Sequence, residues 1–258
     1  MINAGFSRRG LIINAGKIAA GAALMSLGAF SGSKKAEAYK YATTYKYAQL
    51  DPKEVAKITY ENYFKRWCAS SVISSFVTLL KDKVGGEWKN YPIDSMRWAH
   101  GGFAGWGTLC GTLTGAGTII GLVTNETDTA EEMTNDLAFY YSYTELPDYE
   151  PPKIIKSQIK HMTMSGTPVC HISVGKWMKA EGAAFLTDQR AERCARLAAN
   201  IAIKTTEMLN AWANGKYTAK HQPLYNVAAN GITSQNNCTD CHGQFTPSPN
   251  KTYETLKK

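Results

Sequence analysis

The chain has 258 residues, enough for one domain with a sizeable core, and carries 29 Lys and Arg against 21 Asp and Glu for a net charge of +8. The basic excess is concentrated at the start. Residues 1–38 hold Arg8, Arg9, Lys17, Lys34, Lys35 and the single acid Glu37, and without them the charge falls from +8 to +4. The balance therefore gives no ground for nucleic-acid binding.

Those first residues read as an export signal. Ser7-Arg8-Arg9-Gly10-Leu11-Ile12 is a twin arginine followed by apolar residues. Ile18 to Ser33 is uncharged and 16 residues long, short of the ~20 that span a bilayer. Ala36-Glu37-Ala38 supplies a small-x-small cleavage pattern. We expect a twin-arginine signal peptide over 1–38, cleaved near Tyr39, a mature chain in the periplasm, and no stable membrane anchor. That route carries folded proteins, often with a cofactor already inside.

Residues 39–50 form a tyrosine-rich arm, expected to be extended and either wrapped on a partner subunit or exposed. Asp51-Pro52 is a helix start, with Asp as N-cap and Pro in the first turn. Apolar residues at Val55, Ile58, Tyr63, Trp67, Val72, Phe76 and Leu80 keep helical period, and Gly85-Gly86 ends the helix after about nine turns. Gly101 to Val123 is rich in glycine and is read as a helix whose backbone approaches another element closely. Glu126 to Tyr143 is helical with an acidic first turn. Pro147, Pro151 and Pro152 break the chain, and residues 153–167 read as loop. A short helix runs from Val169 to Lys179. Thr187-Asp188 caps a last long helix, Gln189 to Asn214, which Gly215 terminates. No segment has strand period. The class is all-α: a helical single domain over 39–215 and a loop-rich C-terminal segment over 216–258.

That last segment holds Cys238-Thr239-Asp240-Cys241-His242. Cys-x-x-Cys-His specifies c-type haem attachment: the two thiols add to the vinyl groups and the adjacent imidazole binds iron. Haem is attached after export, so any cofactor inserted before export is a second one.

Four cysteines remain, Cys68, Cys110, Cys170 and Cys194, each expected on a separate helix. From spacing they are two disulfides, four buried thiols, or four ligands of an iron–sulfur cluster. Spacing alone ranks disulfides first; export of a folded chain favours the cluster. Trp67 and Trp106 flank two of them and are expected to pack in the core. The order Cys68-Ala69, Gly107-Thr108-Leu109-Cys110-Gly111-x-x-x-Gly115, Cys170, Cys194 resembles the redox family named for the pattern C_GCAxxG_C_C. Cys110 and Gly111 stand in reverse order, and Thr112 replaces Ala. Joined to the C-terminal Cys-x-x-Cys-His, it resembles the split-Soret cytochromes c over roughly residues 50–243. The resemblance implies a homodimer with a c-type haem and an iron–sulfur cluster in each subunit, bis-histidine haem iron, and Cys68, Cys110, Cys170 and Cys194 as cluster ligands. It leaves the cluster type open, two-iron among the alternatives.

His242 supplies one axial ligand. The expected second is His171, which begins a helix beside Cys170; His100 is the runner-up, and His161 and His221 are expected to be solvated loop residues. No hydrolytic, zinc or phosphate-loop motif is present. The expected function is single-electron transfer between redox protein partners rather than catalysis. The alternatives are a multicentre oxidoreductase with an open metal site and a disulfide-stabilised haem protein without a cluster.

Overall fold

Asp51 opens the first helix, α1 (Pro52–Lys83), as expected: its carboxylate accepts from the Lys53 backbone N–H at 2.9 Å, with Pro52 in the first turn. The computed structural model describes residues 45–124 and 126–221. The export signal and the Cys238, Cys241, His242 motif lie outside the described residues. Four further α-helices follow: α2 (Gly111–Thr124), α3 (Thr127–Tyr143), α4 (Cys170–Glu181) and α5 (Asp188–Ala213). Thr187 caps α5 by accepting from the Arg190 N–H at 3.3 Å. Gly86–Asn90 and Ile93–Met96 are 3-10 turns.

The core is helix on helix. α1 lies along α5, α2 packs on both, and α3 closes against α2 and α5. Val55, Val72, Ile73, Phe76 and Leu80 of α1 meet Leu197, Ile201 and Leu209 of α5, all almost fully buried. Among the described residues there is no extended strand, and isolated antiparallel bridges link Leu109 to Val169 and Leu146 to Thr163. No described helix is long and apolar enough to cross a membrane.

Three expectations need correction. The glycine-rich run is not helical from Gly101. Gly101, Gly102, Gly105 and Gly107 adopt positive φ, which builds turns, and the helix begins only at Gly111. Trp67 and Trp106 are not core residues; they are 41% and 81% exposed. The described part of the tyrosine-rich arm, residues 45–50, packs on its own fold. Trp88 Nε1 donates to Lys46 O at 2.7 Å, Tyr45 stacks edge-on against Trp88, and the Tyr47 hydroxyl donates to Asn210 at 2.8 Å.

The expected close backbone approach is real at two glycines. A Cβ on Gly111 would lie 2.0 Å from Ala99 O and 2.7 Å from Cys68 Cβ. A Cβ on Gly115 would lie 2.5 Å from Ala69 O and 2.9 Å from Ala69 Cα. Both clashes are with backbone or a Cβ that cannot swing away, so α2 sits against α1 at Cys68-Ala69 only because these positions lack side chains. Gly121, on the same helix, faces open space. Gly115→Ala should therefore lower stability by about 1–3 kcal/mol through overpacking. Gly121→Ala should raise it by up to about 1 kcal/mol through helix propensity. Urea unfolding midpoints of the two variants, expected to move in opposite directions, check this.

Candidate metal centre

Helix α1 is interrupted at one residue. Trp67 has φ 60 and ψ −161, inside an otherwise continuous helix. A bulky aromatic residue rarely takes positive φ, and such strain, of order 1–3 kcal/mol, gathers at functional sites. The break redirects the backbone: the Ala69 N–H donates to Ala99 O at 3.2 Å. Cys68 follows the break and is buried against the start of α2.

Cys110 and Cys170 are placed by a short antiparallel contact. Cys110 N–H donates to Pro168 O at 3.0 Å, Cys170 N–H to Thr108 O at 2.7 Å, and His171 N–H to Gly107 O at 3.0 Å. The two thiols flank the Leu109–Val169 bridge and come into hydrogen-bonding contact. Cys194 sits in the second turn of α5. All four cysteines are free thiols and buried, 4% to 8% exposed.

The thiols form two pairs. Cys110 and Cys170 bond to each other, and the buried Tyr63 hydroxyl reaches both Cys68 and Cys194. The pairs also feel one another: Cys68 interacts with Cys110, and Cys170 with both Cys68 and Cys194. Among the described residues no three Cys, His, Asp or Glu side chains are close enough to hold a single metal ion. Four thiols in two interacting pairs match the ligand count of a polynuclear cluster instead.

Electrostatics sort the four groups. The hydrogen bond from Cys170 pulls the Cys110 thiol down to about 5, against the opposing effect of burial. Cys170 is pushed upward by that same bond and then by burial, and burial with the neighbouring thiols pushes Cys68 up to about 12. Cys110 thus ionises readily, whereas Cys170 and Cys68 resist ionisation.

The counter-charge is Arg193, 1% exposed. Its Nη2 donates to Ser173 Oγ at 2.7 Å and to Ser173 O at 3.3 Å, and its Nη1 points at Cys194 Sγ at 3.8 Å. Among the described residues no carboxylate pairs with it. One turn along α5, the equally buried Arg196 has two carboxylates, Glu192 at 3.0 Å and Glu150 at 2.9 Å. Burial works against the charge of Arg193, and Cys194, Tyr141 and Cys110 together more than restore it. The half-buried Arg190 is affected in the same way by Cys194. One polar atom beside the thiols, Arg193 Nε, has no hydrogen-bond partner, and the buried Tyr141 hydroxyl faces Cys110 and Ser173. Buried donors need acceptors, and metal-bound thiolate and sulfide are acceptors. The residues fit an iron–sulfur cluster.

Sequence reading named the four cysteines but missed Tyr63, Tyr141 and Arg193. A signal for Arg193 existed: Arg190, Arg193 and Arg196 recur every three residues on either side of Cys194.

The histidines divide. His171 stands at the start of α4, exposed, with its Cβ near Gly107. His100 packs on Trp67 at 4.4 Å and lines a cavity of about 480 Å³ that reaches Cys68; burial and Arg97 lower its pKa. His161 and His221 are not merely solvated: Glu181 holds His161 Nδ1 at 2.7 Å, and Asp136 holds His221 Nδ1 at 2.8 Å.

Residues 67–208, which include all four thiols, match the model of the family described as "Putative redox-active protein (C_GCAxxG_C_C)". The chain belongs to this family. It is 30% identical over 250 residues to split-Soret cytochrome c of Desulfovibrio desulfuricans (strain ATCC 27774 / DSM 6949 / MB), covering 91% of this chain and 86% of that protein. A solved structure described as "A novel iron centre in the split-Soret cytochrome c from Desulfovibrio desulfuricans ATCC 27774" has a similar fold, with a TM-score of 0.65 and 24% identity. That likeness covers 87% of this chain and 99% of the other. The C_GCAxxG_C_C member described here is accordingly an all-α redox protein of the electron-transfer kind.

Arg193→Met removes a cation from the thiol pocket. In metal-free protein the first thiolate should then form at higher pH, because less positive charge stabilises it. Thiolate ultraviolet absorbance across a pH series checks the direction.

Proposed function

We propose that this chain is an exported, homodimeric c-type cytochrome that passes single electrons between protein partners in the periplasm. Its two centres are a haem bonded to Cys238 and Cys241, with His242 on the iron, and a two-iron cluster held by Cys68, Cys110, Cys170 and Cys194. The observation that carries the cluster is the pairing of four buried thiols around Arg193. Two pairs suit two irons with two thiolates each. The D. desulfuricans relative, a cytochrome by name with an iron centre in its structure, supports the same reading.

The cluster, when bound, takes up and releases one electron. The chain's own residues set the conditions for that. The buried walls keep water from the sulfur atoms, which shifts the potential and limits rearrangement. Arg193 contributes a fixed positive charge and a hydrogen-bond donor toward Cys194, so it favours the reduced, more negative state. The hydroxyl and backbone carbonyl of Ser173, on α4, hold that guanidinium in place. Tyr63 ties the α1 ligand to the α5 ligand.

The turn leading into Cys110 carries Trp98, Phe103, Trp106 and Leu109, exposed by 43%, 56%, 81% and 47%. Contiguous exposed aromatic surface marks an interaction face, and here it lies next to the thiol site. It supports a second subunit or redox partner docking close to the cluster. For the haem, the sequence expectation of the second axial ligand is His171.

Protein from a host that matures c-type cytochromes should contain covalent haem and additional iron with acid-labile sulfide. Cys194→Ser should remove the sulfide and its signal while leaving covalent haem. Cys238→Ala with Cys241→Ala should do the reverse. Haem iron as the whole iron content, without sulfide, would eliminate the cluster.

A further inference from the structure

We infer that the cavity beside Cys68 is a binding site for a small planar molecule of the quinone class, a flat ring system with carbonyl oxygens at its edge. Its redox role rests on the cluster reading above; its ability to bind such a ring does not.

The cavity has a volume of about 480 Å³, within the ~300–1,000 Å³ usual for a small-molecule site. Its lining runs from the surface to the thiols: Trp67 and Phe185 are exposed, whereas Tyr63 and Cys68 are buried. The strained break in α1 makes this arrangement. It sends Cys68 inward and leaves Trp67 in the cavity wall, where the indole packs on His100 at 4.4 Å and lies under the Arg97 guanidinium at 5.0 Å. Backbone strain of this kind gathers at ligand sites. Gly101 and Gly105, both at positive φ, also line the cavity and put no side chain into it.

The lining selects a ligand chemistry. The faces of Tyr63, Phe64, Trp67 and Phe185 suit a flat ring. The polar groups are mainly donors: Arg190, Lys156 and His100. Arg190 is held in place, its Nε donating to Phe185 O at 3.0 Å and its guanidinium lying over the Phe185 ring at 4.9 Å. The same guanidinium hydrogen-bonds to Cys194, so it joins the cavity to the thiol pocket. The acid in the lining, Asp188, already faces Lys156 at 3.5 Å. A surplus of donors calls for a ligand that brings acceptor oxygens. A quinone has them on a flat ring; a cationic aromatic would meet like charge, and an aliphatic acid would leave the aromatic walls unused.

Cys68 is part of the wall, so a ring seated here lies against a candidate cluster ligand. Reduction of a quinone to its hydroquinone takes two electrons and two protons. The cluster gives one electron at a time, so it is re-reduced by the chain's redox partner between the two transfers. The protons come from solvent at the exposed mouth.

The test is calorimetric titration of full-length protein, from a host that matures c-type cytochromes, with anthraquinone sulfonate. Anthracene sulfonate, the same rings without the carbonyl oxygens, is the comparison, and iron and acid-labile sulfide are counted on the same sample. The quinone should bind saturably and about tenfold more tightly than the anthracene, because hydrogen bonds from charged donors are lost in the latter. Ala191→Phe, which fills the cavity from α5, should abolish binding with sulfide content unchanged. Phe185→Ala, at an exposed position, should weaken binding about threefold to tenfold through lost stacking. Cluster-loaded protein that fails to bind the quinone, binds anthracene sulfonate equally well, or binds the quinone unchanged in both variants would overturn the site. Binding that Ala191→Phe blocks, in protein without sulfide, would overturn the cluster reading and leave the site standing.

Discussion

A guanidinium buried without a carboxylate is the constraint on which the structure turns. Arg193 is as deeply enclosed as Arg196 three residues later, yet only Arg196 has acidic partners. An unpaired buried charge costs several kcal/mol, so the negative charge facing Arg193 must come from sulfur. Cys194 is adjacent, and Cys110 ionises readily because Cys170 hydrogen-bonds to it. Four neutral buried thiols would leave the cation stranded. Four thiolates bound to iron, with bridging sulfide, would carry more charge than one arginine offsets, and Arg190 and the buried Tyr141 hydroxyl, which faces Cys110, stand beside the thiols to share it. Charge and hydrogen-bonding capacity thus balance with metal bound.

The helices achieve that convergence by local departures from regular structure. The break at Trp67 turns Cys68 onto the start of α2, and Gly111 and Gly115 let α2 come near enough to receive it. The two-residue ladder around Leu109 and Val169 does for Cys110 and Cys170 what a hairpin does for strand partners. The break at Trp67, Gly111 and the Leu109–Val169 bridge each sit one residue from a candidate ligand. The long α1–α5 contact behind them is ordinary apolar packing, and it keeps the strained segments from relaxing.

Much of this was readable in the sequence, for physical reasons. Helix ends were visible because Asp51-Pro52, Thr187-Asp188 and Gly215 are strong local signals. The cysteines stood out because a thiol pattern is chemically conspicuous. The glycine run misled because glycine is ambiguous: positive φ at Gly101–Gly107 makes turns, whereas Gly111 and Gly115 make helix contacts, and composition cannot separate the two. The kink at Trp67 left no trace because no proline or glycine marks it; tertiary packing imposes it. His161 and His221 looked solvated because their carboxylates are 20 and 85 residues away in the chain. Exposure of Trp67 and Trp106 was likewise hidden, since a tryptophan beside a ligand reads as core until the surface is known.

The cluster and the haem are proposed to be separate centres, the first assembled within α1, α2, α4 and α5, the second bonded to Cys238 and Cys241. The most direct test of the central claim is iron X-ray absorption on the Cys238→Ala, Cys241→Ala protein, in which haem iron is removed and any remaining iron reports the four thiols. We predict a first shell of sulfur alone with a short iron–iron vector. Nitrogen or oxygen in that shell, or no bound iron at all, would contradict it.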